Sequence, residues 1–229
     1  MPLLSDLLAR VAFLAAAPAV LGVFIAASLL VVSQDWRLNV ISLAVQYFFI
    51  TLLMTQLVRL ELAAVKALIG WLVCLVIYLT EQQAHLIARD SDGRSDLSVQ
   101  DWFRARIQVW KSHGVSAQAA FRLLAALVVA LTAYAVALAI PLPQLSLGLT
   151  GVCYLVAGLG VLLIGLSQDS VRVGLGLLTF LSAFDLFYVS LEPSLVVTGL
   201  LGSLNFIIVL GMAYLRTAEV AGGEAGGST

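Results

Sequence analysis

The sequence predicts an all-α integral membrane protein of seven transmembrane helices, with its N-terminus outside and its C-terminus in the cytoplasm. Three observations carry that prediction. Hydrophobic residues make up 62% of the 229 positions and charged residues only 11%, against about a quarter charged in soluble domains. The apolar residues gather into stretches near the roughly 20 residues that span a bilayer. Lys and Arg fall almost entirely on one side when the connections are assigned alternately to two sides, as the positive-inside rule requires.

The apolar stretches are residues 11–32, 38–58, 60–80, 119–140, 147–166, 171–191 and 195–215. The first lacks a basic leader and runs on past Leu30, so it reads as a retained span and not a cleaved signal. "SQDWR" separates it from the second. The break between the second and third, at Arg59, is the weakest. "PLPQ" ends the fourth, because proline cannot continue the helical ladder. "SQDS" and "EPS" make the last two turns. With this numbering Arg37, Arg89, Arg94, Arg104, Arg106, Lys111, Arg122, Arg172 and Arg216 share the cytoplasmic side, and only Arg10 and Arg59 lie outside.

Residues 1–80 form an N-terminal three-helix unit and residues 81–118 a cytoplasmic connection. Residues 119–140 form the fourth span, 141–216 a second three-helix unit, and 217–229 a small, polar, disordered tail. Within the connection, Ser98 and Asp101 make a capping box. Val99, Trp102, Phe103, Ile107 and Trp110 then recur at helical spacing. Trp102, Arg104, Arg106, Trp110 and Lys111 suit an amphipathic helix at the cytoplasmic membrane interface; docking onto a soluble partner subunit is the alternative.

Ionisable groups inside lipid are costly and are site candidates by default. Two stand out. Lys66 lies about six residues in from the outer end of the third span, and Asp185 about six in from the outer end of the sixth. Both are then roughly 9 Å along a helix from the same surface. Equal depth and opposite sign suggest an ion pair. The competing readings are a lysine that snorkels to the interface and an acid that is interfacial or neutral. Gln46, Ser203 and Asn205 are secondary polar candidates, with Ser167, Gln168 and Thr198 as helix-linking groups.

Little else carries chemistry. His85 and His113 have no evident partners, no metal-ligand spacing is present, and Cys74 and Cys153 read as packing residues. Gly158–Gly160 and Gly174–Gly176 lie in apolar helices, where glycine serves packing and not phosphate binding. No self-contained active site, metal or cofactor is expected, and there is no basic excess for nucleic acid.

"YLVAGLGVLLIGLSQDSVRVGLGLLTFLSAFDLFYV" resembles the K-type subunit of respiratory complex I and the C subunit of Mrp-type cation/proton antiporters. Arg172, Val173, Gly176, Leu177, Ala183 and Leu186 match their pattern. Ser182 and Asp185 stand where that pattern has asparagines, and Leu178 where it keeps a membrane glutamate. Over roughly residues 37–215 the chain also resembles the E component of group 4, formate-hydrogenlyase-like hydrogenases. Lys66 in "AAVKALIGWLVCLVIYLT" and the pair Ser167-Gln168 carry that longer resemblance.

The resemblance implies a multi-pass subunit of the cytoplasmic membrane, bound to large antiporter-like subunits of an ion-translocating assembly and to lipid. Leucine cannot titrate, so the implied role is mainly scaffolding, with Lys66 and Asp185 as the charged relay candidates. A stand-alone secondary transporter and a membrane anchor or assembly subunit are the alternatives.

Overall fold

The computed structural model describes residues 18–33, 35–55, 57–58, 60–91, 117–142, 145–192 and 194–226. Seven helices account for them: α1 (Pro18–Val32), α2 (Trp36–Met54), α3 (Leu60–Ser91), α4 (Ala117–Ala139), α5 (Leu147–Leu166), α6 (Ser170–Leu191) and α7 (Leu195–Gly226). All but α1 are long and apolar enough to cross a membrane, and no strand occurs among the described residues. The chain is a multi-pass membrane protein. Of the expected first span, residues 11–17 lie outside the described residues, as does the interfacial segment carrying Trp102, Arg104, Arg106, Trp110 and Lys111.

The helix ends follow local chemistry. Ser146 caps α5 by accepting a hydrogen bond from the Leu149 amide at 3.5 Å, which satisfies an N-terminal donor. Tyr154 donates to the Ile140 carbonyl at 3.2 Å, tying the end of α4 to α5 across the proline turn. The amides of Leu57 and Val58 both donate to the Met54 carbonyl. The second helix therefore ends at Met54, four residues before the apolar stretch does.

Two helices outrun their apolar stretches. α3 continues from Thr80 through "EQQAHLIARDS" to Ser91, where a connection is expected from residue 81. Glu, Gln, Ala and Leu favour helix, and neither Gly nor Pro interrupts them. Falling hydropathy marks where the chain leaves the bilayer, not where the helix stops. α7 likewise continues to Gly226, through most of the segment expected to be a disordered tail.

Packing makes the two expected three-helix units one bundle. α6 is the most enclosed span and α4 the least. α6 packs against α5, α7 and α2, α3 packs against α2 and α7, and α4 packs on α5. Two apolar clusters result. One joins Leu43, Tyr47, Val73, Ile77, Leu175, Leu178 and Val209; the other joins Val23, Ile50, Leu53, Ala63, Val156, Ala183 and Leu186. Each combines residues from both halves of the chain. Cys74 lies in the first and Cys153 in the second.

Glycine decides how closely α5 and α6 meet. A Cβ on Gly160 would lie 2.7 Å from the Phe180 amide nitrogen and 2.9 Å from the Gly176 carbonyl oxygen; one on Gly176 would lie 2.9 Å from the Gly160 carbonyl. The two backbones touch there, as small residues allow in membrane helix pairs.

Candidate functional site

Asp185 reaches the interior because of where it falls on α6. Leu175, Leu178, Ser182, Asp185 and Val189 follow helical spacing and are all buried, forming the face that meets α2, α3 and α7. Lys66 lies on the matching face of α3 with Ala63, Ile69, Gly70, Val73 and Ile77.

The structure brings the two together. The Lys66 ammonium contacts the Asp185 carboxylate in an ion pair between α3 and α6, and each residue is only 2% exposed. No further hydrogen bond from a described protein group reaches either charged end. The pair is thus each member's principal electrostatic support. Lys66 does not snorkel, and Asp185 faces neither lipid nor solvent.

Tyr47 of α2 completes the surroundings. Its ring centroid lies 5.7 Å from Lys66 Nζ, within cation–π range. The ring reaches that position because position 70 has no side chain: a Cβ on Gly70 would meet it at 2.9 Å. The Tyr47 hydroxyl lies beside Ser182 but is not in hydrogen-bonding geometry with it. Ser182 donates to the Leu178 carbonyl at 2.8 Å. Helices α2, α3 and α6 therefore enclose one charge pair, with the aromatic face of Tyr47 over its cation.

The secondary candidates part company. Gln46 and Asn205 are fully buried, and neither amide group has a hydrogen-bond partner among the described residues. Neither is bonded to the Lys66–Asp185 pair. Ser203 is exposed on α7 and donates to its own helix at the Gly199 carbonyl, 2.9 Å away. It does not join the site.

Leu178 is wholly buried, in one apolar cluster with Leu43, Val73, Ile77 and Leu175. Along α6 this cluster lies between Asp185 and a second polar region at the opposite end of the bundle. There a cavity of about 260 Å³ is lined by Asp35, Trp36, Asn39, Glu81, Asp169, Arg172 and Arg216, with Val40, Ile77, Val171 and Leu175 as its apolar walls. Arg216 pairs with Glu81 at 3.4 Å, joining α7 to α3. Arg172 pairs with Asp169 at 3.7 Å and donates to the Ser33 carbonyl at 3.1 Å, joining α6 to the α1–α2 turn. Leu175 and Asp185 are ten residues apart, about 15 Å along the helix.

Sequence reasoning missed this charged end. In the sequence Arg172 and Arg216 orient the chain and Arg172 also carries part of the resemblance, while Glu81 reads as part of a connection; none of the three signals a shared site. The available signal was an acid directly following an apolar helix whose helix-forming residues continue. Tyr47 was missed as well, because one tyrosine among apolar residues carries no spacing signal. Among the described residues no group of three or more His, Cys, Asp or Glu side chains is placed to hold a metal ion.

No protein-family model, curated protein or solved structure matches the chain.

Proposed function

We propose that this chain is a scaffolding subunit of a complex-I-like, ion-translocating assembly of the cytoplasmic membrane, seated among large antiporter-like subunits. The observation that carries the proposal is the buried Lys66–Asp185 pair. It joins the third helix, at the lysine that carries the longer resemblance, to the helix that resembles the K-type and C-type subunits, at an acid standing where their pattern has asparagine. Intramembrane ion pairs mark ion pathways or fix helix arrangements. The enclosure of this pair between α3, α6 and Tyr47 favours fixing the arrangement. Relay of a proton or cation through the pair is the secondary role. The broad apolar faces of α4 and α7, including Leu124, Leu131, Val196 and Leu200, supply the surface that lipid and neighbouring subunits would cover.

Gentle extraction of the tagged chain from native membranes tests the assignment. Co-elution with large multi-pass antiporter-like subunits, at a stoichiometry that survives a native gel, is the expected result. A chain that purifies alone and transports ions in proteoliposomes would overturn it in favour of a stand-alone transporter. If Lys66→Ala and Asp185→Asn assemblies form normally and translocate ions at the full rate, the pair has no relay role.

A further inference from the structure

The cavity at the charged end of the bundle takes no part in the function proposed above, and its lining has a distinctive chemistry. It sits where helices leave the apolar spans: α2 and α6 begin at it, while Glu81 and Arg216 lie in the last turns of the spans of α3 and α7. Whichever way the protein is oriented, this is headgroup depth. Trp36, stacked under the Arg37 guanidinium at 5.2 Å, is the kind of residue that lines such an interface.

Both signs of charge are present. Arg172 and Arg216 supply guanidiniums, and Asp35, Glu81 and Asp169 supply carboxylates. Arg122, buried on α4, adds like charge beside Arg172, and its Nη1 has no hydrogen-bond partner among the described residues. Asn39 is 3% exposed and lines the cavity, and its Oδ1 has no hydrogen-bond partner among the described residues. A buried carbonyl oxygen left unbonded has lost its water without replacement, so a donor from a ligand would be favoured at that point. The N-termini of α2 and α6 add positive dipole ends, beside Asp35 and Asp169 at the N-caps.

A ligand with only one charge would meet repulsion from half of this lining. A phosphate joined to a primary ammonium would add both signs at once, alongside the Arg172–Asp169 and Arg216–Glu81 pairs already formed, and leave neither sign in excess. We propose that the cavity binds a zwitterionic aminophospholipid headgroup. Its phosphate would lie against Arg172 and Arg216, and its ammonium would donate to Asn39 Oδ1 and approach the carboxylates of Asp35 and Glu81. Guanidinium suits phosphate geometry. The ammonium must carry N–H groups, because a trimethylated one cannot donate to Asn39.

Thermal unfolding of the full chain in detergent, titrated with dihexanoyl lipids, tests this. Phosphatidylethanolamine should raise the Tm saturably by a few degrees, as a ligand of the native state does. Phosphatidylcholine and phosphatidylglycerol should not. Soluble phosphoethanolamine forms a further arm: a response to it as well supports the headgroup chemistry, and a response to the lipid alone supports the chemistry with the bilayer as its source. Asn39→Leu should abolish the selectivity and Asn39→Asp, which keeps an acceptor, should retain it. Native mass spectrometry of the unmodified chain gives a readout that does not depend on variants folding, and retention of ethanolamine lipid over choline lipid is expected. Equal shifts or equal retention for all three lipids, or none for any, would overturn the proposal. Preference for phosphatidylglycerol would overturn it in favour of a simple anion site.

Discussion

Removing one member of the Lys66–Asp185 pair should be far more damaging than removing both. Each side chain is almost wholly inaccessible, and no other described protein group hydrogen-bonds its charged end. Lys66→Met therefore leaves a carboxylate in an apolar interior, and Asp185→Leu leaves an ammonium there. Breaking a buried pair in this way costs about 3–5 kcal/mol, whereas replacing the whole pair by apolar residues of similar size is often neutral or stabilising. Tyr47 softens the loss for Lys66 alone, since an aromatic face is worth about 0.5–2 kcal/mol to a nearby cation. Asp185→Leu should accordingly be the milder single change. The double variant should return to within about 1 kcal/mol of the parent, giving a coupling energy of at least about 3 kcal/mol in the double-mutant cycle. Reversible unfolding in mixed micelles, followed by circular dichroism, measures all four corners. Additive losses would refute the reasoning, because they would mean that the two charges do not support one another in the folded protein.

Further outcomes follow from the same packing. Gly160→Val should separate α5 from α6 and lower stability by about 1–3 kcal/mol or more, whereas Gly211→Ala, with open space around its Cβ position, should leave the Tm unchanged or slightly raised. Thermal melts of the two variants side by side would decide this. Tyr47→Phe keeps the ring over Lys66 and removes a buried hydroxyl that has no hydrogen-bond partner among the described residues; it should change stability by less than about 1 kcal/mol, while Tyr47→Ala should cost about 3–5 kcal/mol. The same unfolding assay separates them. Leu178→Glu would bury an acid amid Leu43, Val73 and Leu175, and the expected result is sharply reduced yield of folded protein by size-exclusion chromatography.

Much of the membrane architecture was legible in the residues. Spans two to seven appear where unbroken apolar runs of about the right length occur, because lipid admits only segments whose backbone groups bond internally. Asp185 and Lys66 were legible for the same reason: a charge in such a run is rare enough to notice. Helix ends were less legible. α3 passes Thr80 and α7 passes Leu215, since hydropathy reports burial in lipid and not backbone bonding.

Composition and spacing are enough to place this chain in a membrane as a series of apolar helices carrying two opposite charges equally far from their helix ends. Which faces meet is settled when the helices pack. Packing places Lys66 against Asp185 under Tyr47, turns Ser203 outward and leaves Gln46 and Asn205 buried with no hydrogen bond to the pair. It also gathers Glu81, Arg172 and Arg216 from three helices around one cavity. Partner choice depends on rotation and close approach of helices, set by contacts such as Gly160 against Gly176 and Gly70 against Tyr47. In an apolar sequence nearly every helical face is hydrophobic enough to be buried, so hydropathy cannot rank one face over another. Shape complementarity between the helices does.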